Sequence, residues 1–95
     1  MSMALEHLPE QHRYLFLVDG EEVGLTDYHL AAGSIHIIHT EITPRMRGTG
    51  LGDAMVRAVL DEIGTGTSLR VVPDCPFVAD WLGHHPDYQE LAARA

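Results

Sequence analysis

The stretch Ile42-Thr43-Pro44-Arg45-Met46-Arg47-Gly48-Thr49-Gly50-Leu51-Gly52-Asp53-Ala54-Met55 decides the fold, because the periodicity of the chain changes across it. Before it, apolar residues alternate or come in short blocks. After it, Leu51, Ala54, Met55, Ala58, Val59 and Ile63 fall on one helical stripe that only Glu62 breaks, and Gly64-Thr65-Gly66 stops the helix. Asp53, Arg57 and Asp61 lie toward the opposite face of that helix, where solvent is expected. Between the two periods sits a loop rich in glycine and arginine. Amides at a helix start have no partner within the helix, and the helix dipole adds partial positive charge there. Glycines let an anion approach the backbone, and Arg45 or Arg47 can add charge-assisted hydrogen bonds, so a pyrophosphate is the natural guest. An isolated Gly-x-Gly reads as a tight turn and nothing more; here position, arginines and spacing together favour the anion site. The chain has no Gly-Lys-Ser/Thr for a P-loop, and a Rossmann fingerprint would open an α/β sheet instead of following antiparallel strands.

Working outward, Arg13–Val18 reads as a buried strand ended by Asp19-Gly20, a hairpin signal. A return strand over Glu22–Ala31, a turn at Ala32-Gly33-Ser34 and a strand over Ile35–Ile42 complete a three-strand antiparallel meander. Past the helix, Ser68–Val72 is a fourth strand ended by Pro73. Pro76 suits the first position of a second helix, with Phe77, Val78, Trp81 and Leu82 on its inner side, and Pro86 starts one last turn or two through Leu91. The predicted order is β-β-β-α-β-α-α, an α+β fold in which a βαβ crossover makes the last two strands parallel, with a right-handed connection. Residues 1–10 read as a flexible lead-in, and residues 11–95 as a single domain.

Bulk composition narrows the function. At 95 residues, 45% hydrophobic and 21% charged, the chain is sized and composed to close one small core. Its six basic side chains are all arginine, against 14 acidic residues, for a net charge of −8. Such a domain gains nothing from nucleic-acid phosphates, so DNA or RNA binding is not expected. The single cysteine excludes an internal disulfide framework and fits a reducing compartment. No apolar run reaches membrane-span length and the first residues lack signal-peptide character, so a cytoplasmic location is the expectation. Seven histidines invite a metal reading. Their spacing argues against it: His84 and His85 are adjacent, and in a regular strand His36 and His39 lie on opposite faces.

Three blocks carry a family resemblance: Ile38-His39-Thr40-Glu41-Ile42-Thr43-Pro44, Arg47-Gly48-Thr49-Gly50-Leu51-Gly52, and Val72-Pro73-Asp74-Cys75-Pro76-Phe77-Val78. The second is similar to the R-x-x-G-x-G/A signature of GNAT N-acetyltransferases. All three, with His85-Pro86-Asp87-Tyr88, resemble the very small GNAT-like subfamily that is little more than an acetyl-CoA-binding core. The resemblance covers roughly residues 11–91. It implies acetyl-CoA or CoA as co-substrate, with pyrophosphate at Arg45, Arg47, Gly48, Thr49, Gly50, Leu51 and Gly52. It implies a pantetheine arm along Glu41, Ile42 and Thr43, reaching Cys75 where the parallel strands splay; on the histidine spacing, no metal is expected. It also implies acetyl transfer to a primary amine, either a small amine or a protein lysine or N-terminus. Many members use a tyrosine general acid after the corresponding strand; this chain has Cys75 in that neighbourhood.

Cys75 directly precedes Pro76 and so falls at a helix N-cap, where the dipole and free amides favour a thiolate. A thiolate can attack an acetyl thioester, and an acetyl-cysteine intermediate is chemically open to it. Adjacent Asp74 opposes the anion, and a small buried residue at a strand end is the alternative reading. His39 and Glu41, two residues apart on one strand face, are the candidate bases for a direct transfer, His39 having the better matched side chain. The competing function is a non-catalytic CoA-binding or protein-interaction module, because the chain lacks the N-terminal helices that build much of the acceptor site in larger relatives. The acidic balance favours a cationic acceptor or partner.

Overall fold

The computed structural model describes residues 1–94. Strands β1 (Met3–Leu8), β2 (Arg13–Val18), β3 (Glu21–Ala31), β4 (Ser34–Ile42) and β5 (Arg70–Pro73) form one sheet in the order β1-β2-β3-β4-β5. The first four pair antiparallel as a meander, and β5 pairs parallel with β4. Helices α1 (Leu51–Gly66) and α2 (Pro76–Gly83) follow β4 and β5, and 3₁₀ turns occupy Pro9–Gln11, Pro44–Met46 and Pro86–Leu91. The mixed α+β architecture is the one expected from the sequence. None of the described helices is long and apolar enough to cross a membrane.

The N-terminus departs from expectation. Residues 1–10, read as a flexible lead-in, contain β1, paired from Met3↔Val18 to Leu8↔Arg13, and the meander has four strands. Most of β1 is exposed, so no alternation of burial marks it in the sequence. Its stability comes from backbone pairing to β2, from Leu5 packed against the core, and from His7, whose ring stacks on Tyr14 and whose Nε2 lies 2.7 Å from the Tyr28 hydroxyl.

The tight turn after β2 forms as the sequence predicts. Asp19 and Gly20 both take positive φ, the conformation a two-residue hairpin needs to match strand twist. β3 and β4 meet with an irregularity: the register passes from Asp27↔His39 to Tyr28↔Ile37, leaving Ile38 as an extra residue on β4. A bulge of this kind reverses the alternation of the strand beyond it. Ile35 and Ile37 face the core before it, and half-buried Thr40 and Ile42 face the helices after it.

Both helices cover one face of the sheet. Met55, Val56, Val59, Leu60 and Ile63 of α1 pack with Phe16, Val23, Ile35, Ile37 and Val71 of the sheet and with Val78, Trp81 and Leu82 of α2. The polar face of α1, expected in solvent, is partly a docking seam. Trp81 Nε1 donates to Asp53 Oδ1 at 2.7 Å, Tyr88 donates its hydroxyl to Asp61 Oδ1 at 2.7 Å, and the Arg57 guanidinium lies over both rings. The carboxylates are there because aromatic N–H and O–H groups need acceptors when their rings are packed. At the other end of α1, Arg94 donates to the carbonyl of Gly64, which the helix C-terminus leaves free, and to those of Thr67 and Leu69 in the segment that follows.

Candidate active site at the fork between β4 and β5

β4 and β5 run together only from Ser34↔Arg70 to Ile37↔Pro73. The Cys75 amide then donates to the Ile37 carbonyl at 2.8 Å, and the chain turns into α2. Residues 38–42 of β4 continue beyond that point with no neighbouring strand on this edge. The result is a fork. The bulge at Ile38 coincides with its crotch, the extra residue of β4 directly following the last one paired with β5.

A cavity of about 420 Å³ opens from the fork, lined by Thr40, Glu41 and Ile42 of β4, by Met46, Arg47, Gly48 and Gly50 of the loop, and by Gly52, Asp53, Met55 and Phe77 of the helices. Gly48 and Gly50 sit at φ +79° and +84°, and Gly50 is the N-cap of α1, with no side chain capping the helix. That leaves first-turn amides facing the cavity end of the loop. Gly24 of β3 packs beneath: a Cβ there would lie 2.8 Å from both Met55 Sδ and Ile42 Cδ1 and 2.9 Å from the Glu41 carbonyl oxygen.

The loop residues divide. Arg47 lines the cavity and anchors its Nε on the Ile42 carbonyl at 3.2 Å. Arg45, the other candidate for an anion, pairs with Glu21 and lies outside the cavity lining. Thr49 donates to the Met46 carbonyl at 2.5 Å, shaping the loop, while Leu51 is buried in the core. The Thr43 amide donates to Val23 on the β3 side, so Glu41 and Ile42, not Thr43, border the main cavity.

Cys75 is 7% exposed and caps α2 from an extended conformation. Its Sγ lies 3.5 Å from Thr40 Oγ1. Burial pushes the thiol pKa up, but the Thr40 hydroxyl, the first-turn amides of Val78 and Phe77 and the Thr40 amide pull it down, and the net direction is below the ordinary thiol value. No cap hydrogen bond closes from the sulfur to those first-turn amides, which act as oriented dipoles close to it. Thr40 was not among the residues singled out from the sequence; the strand bulge that aims it at the sulfur leaves no mark there.

His39 and Glu41 lie together on the exposed face of the sheet, His39 Nε2 standing 3.8 Å from Glu41 Oε2. The expectation that His36 points to the opposite face from His39 is overturned. His36 pairs with His29 and His39 with Asp27, two positions apart on a β3 without insertion there, so the bulge brings both histidines to one face. His36 Nδ1 is 2.8 Å from Asp74 Oδ2. Among the described residues, no group of three or more metal-ligating side chains gathers anywhere.

A mixed sheet that forks beside a glycine-rich helix start defines a GNAT-like fold. The family model described as GCN5-related N-acetyl-transferase matches residues 13–91, and the chain belongs to that family. No protein of curated function matches it. The family is one of acetyltransferases that generally use acetyl-CoA as donor.

Proposed function

We propose that this chain transfers an acetyl group from acetyl-CoA to a primary amine, a small amine or a protein lysine or N-terminus, and that it belongs to the minimal, cysteine-containing branch of its family. The carrying observation is the convergence at one fork of three features: the unpaired edge of β4, the glycine-rich start of α1, and Cys75 at the start of α2. Arg47 and the amides at Gly48, Gly50 and Gly52 suit the pyrophosphate. The free edge at Glu41 and Ile42 suits the pantetheine amides, which can extend the sheet as a strand would. Cys75 itself lies behind the cavity lining, 3.5 Å from Thr40, which borders the cavity.

Two routes use this geometry. In the direct route the amine nitrogen attacks the acetyl carbonyl carbon, the C–S bond to CoA breaks, and the nitrogen's proton passes to a base. In the covalent route the Cys75 thiolate first displaces CoA thiolate; the amine then attacks acetyl-Cys75, its C–S bond breaks to restore the thiolate, and the nitrogen's proton passes to a base or to the released CoA thiolate. The lowered thiol pKa supports the second. The open face of the sheet supports a competing role as a non-catalytic CoA-binding module, since among the described residues no element covers the side from which an acceptor would come.

Calorimetric titration with acetyl-CoA followed by intact-mass measurement separates them. Binding with a gain of one acetyl group, absent in Cys75→Ala, supports the covalent route. Binding without acetylation, with CoA release when amines are added, supports direct transfer. Binding without turnover on amines, polyamines or basic peptides supports the module, and absence of binding overturns the proposal.

A further inference from the structure

We propose that His36, oriented by Asp74, is the group that takes the proton from the acceptor amine; this rests on the acetyl-transfer reading above. The last rung of the parallel pair is Ile37↔Pro73, and the Cys75 amide closes onto Ile37. Ile37 and Cys75 are 1% and 7% exposed and face the helices. The residues immediately before them, His36 and Asp74, point the other way and meet on the open face, with 2.8 Å between Nδ1 and Oδ2. The crotch of the fork is therefore flanked by a thiol on the helix side and by an imidazole–carboxylate pair on the open side. An acyl carbonyl held at the crotch leaves the open side to the amine, because the cavity that suits the CoA arm lies on the helix side, against Met55 and Phe77.

The pair has the chemistry a base requires. With Nδ1–H donated to Asp74, the neutral ring presents Nε2 as an acceptor, and Nε2 has no partner among the described residues. As the amine nitrogen bonds to the acetyl carbon and the C–S bond breaks, its proton moves to Nε2, and the Asp74 carboxylate stabilises the imidazolium that forms. The proton then leaves to solvent across the open face, or returns to the departing thiolate. The neighbours of the ring are consistent with such a role. The His29 ring meets it edge-on at 5.1 Å from β3, and further along the same face lie His39 with Glu41 and Asp27 with Arg13. Arg13 neutralises Asp27 and Arg70 is held on Ser34, so Asp74 and Glu41 are the carboxylates left on this face to favour a cationic acceptor. The pair is invisible to a regular-strand reading because both members become neighbours only through the parallel pairing of β4 and β5.

The test compares wild type, His36→Gln, Asp74→Asn and His39→Gln in steady-state acetylation of an alkyl amine and of hydroxylamine, which is largely unprotonated near neutral pH. Calorimetric acetyl-CoA binding and thermal melting are measured alongside. His36→Gln is expected to lower kcat for the alkyl amine on the order of 10²-fold or more, with acetyl-CoA binding and melting unchanged. The deficit is expected to shrink with hydroxylamine and to be partly restored by added imidazole. Asp74→Asn is expected to fall between wild type and His36→Gln. If wild type turns over and His36→Gln matches it, or if only His39→Gln brings the loss, the assignment is overturned while acetyl transfer stands. An equal deficit with both nucleophiles also overturns it, as a purely structural effect. If wild type binds acetyl-CoA and acetylates neither, the acetyl-transfer reading itself fails and takes this one with it.

Discussion

The Thr40 hydroxyl sits 3.5 Å from Cys75 Sγ, across a fork that joins residues 35 apart in the chain. Burial alone would leave Cys75 an inert core thiol; the hydroxyl and the amides of Val78, Phe77 and Thr40 reverse that balance. Thr40→Val removes the hydroxyl and keeps the shape. It is expected to raise the thiol pKa, so that the midpoint of iodoacetamide alkylation against pH moves up and the rate near neutral pH falls. Thr40→Ser is expected to stay close to wild type. An unmoved midpoint in Thr40→Val would mean that the hydroxyl does not act on the sulfur.

The docking of α2 on α1 depends on a polar contact inside an apolar seam. Trp81 is 5% exposed and gives its indole N–H to Asp53. Removing the acceptor strands that N–H, so Asp53→Ala is expected to cost roughly 1–3 kcal/mol of unfolding free energy. Asp53→Asn keeps an acceptor oxygen and is expected to cost less. Urea unfolding followed by the fluorescence of Trp81, the sole tryptophan, reads both. Equal stability of wild type and Asp53→Ala would show that water replaces the carboxylate at no cost.

The switch from strand to helix period around Gly48–Met55 was legible because α1 buries a continuous stripe, which local spacing records. Pro76 at the start of α2 was legible for a similar reason: proline is best tolerated where no amide partner is needed. What escaped depends on contacts between distant segments. β1 is exposed along most of its length, so its pairing with β2 leaves no burial pattern. The bulge at Ile38 depends on register with β3, and without it His36 and His39 read as facing apart. Asp53 and Asp61 look like solvated charges until Trp81 and Tyr88 arrive as donors. Arg45 looked available to an anion because Glu21, its partner, is 24 residues away in sequence.

Gly50 holds φ at +84° at the start of α1. A Cβ there meets no other atom within 4 Å, so Gly50→Ala isolates the backbone effect, expected at about 1 kcal/mol of lost stability. If the loop holds the pyrophosphate, shifting it is expected to weaken CoA binding several-fold while leaving binding of a pantetheine fragment, which lacks that group, unchanged. Calorimetry on both ligands decides it. An equal loss for both would place the effect on the fork as a whole.

Tyr14 is 3% exposed, and its pKa is raised to about 12, first by burial and then by Tyr28 and Glu62. The folded state thus holds the phenol proton more tightly than the unfolded chain, whose tyrosines ionise near 10. Its contribution is complete below pH 10 and is lost as pH rises through 12, a loss approaching roughly 2–3 kcal/mol. Tyr14→Phe has no proton to lose and is expected to show a flatter decline in unfolding free energy between pH 9 and 11.5. Parallel declines for both proteins would sink the attribution.

Thr26 Oγ1 is the one buried side-chain oxygen or nitrogen without a hydrogen-bond partner among the described residues. It borders a void too narrow for water, walled by Ile37, Thr40, Val56, Val59, Leu60 and Val78. The hydroxyl has therefore given up its hydration without gaining a bond in return. Thr26→Val replaces it with a methyl of nearly the same shape and is expected to stabilise the fold by about 1 kcal/mol. Thr26→Ser keeps the orphan oxygen, deletes a packed methyl, and is expected to destabilise by about 1 kcal/mol. Urea unfolding of the two variants gives opposite signs on this account. Should valine instead destabilise, the hydroxyl must be bonded in solution, and its nearest hydroxyl-bearing neighbour across the strand pair is Thr40. That outcome would tie Thr26 to the thiol through Thr40, and Thr26→Val would then be expected to shift the Cys75 alkylation midpoint as well.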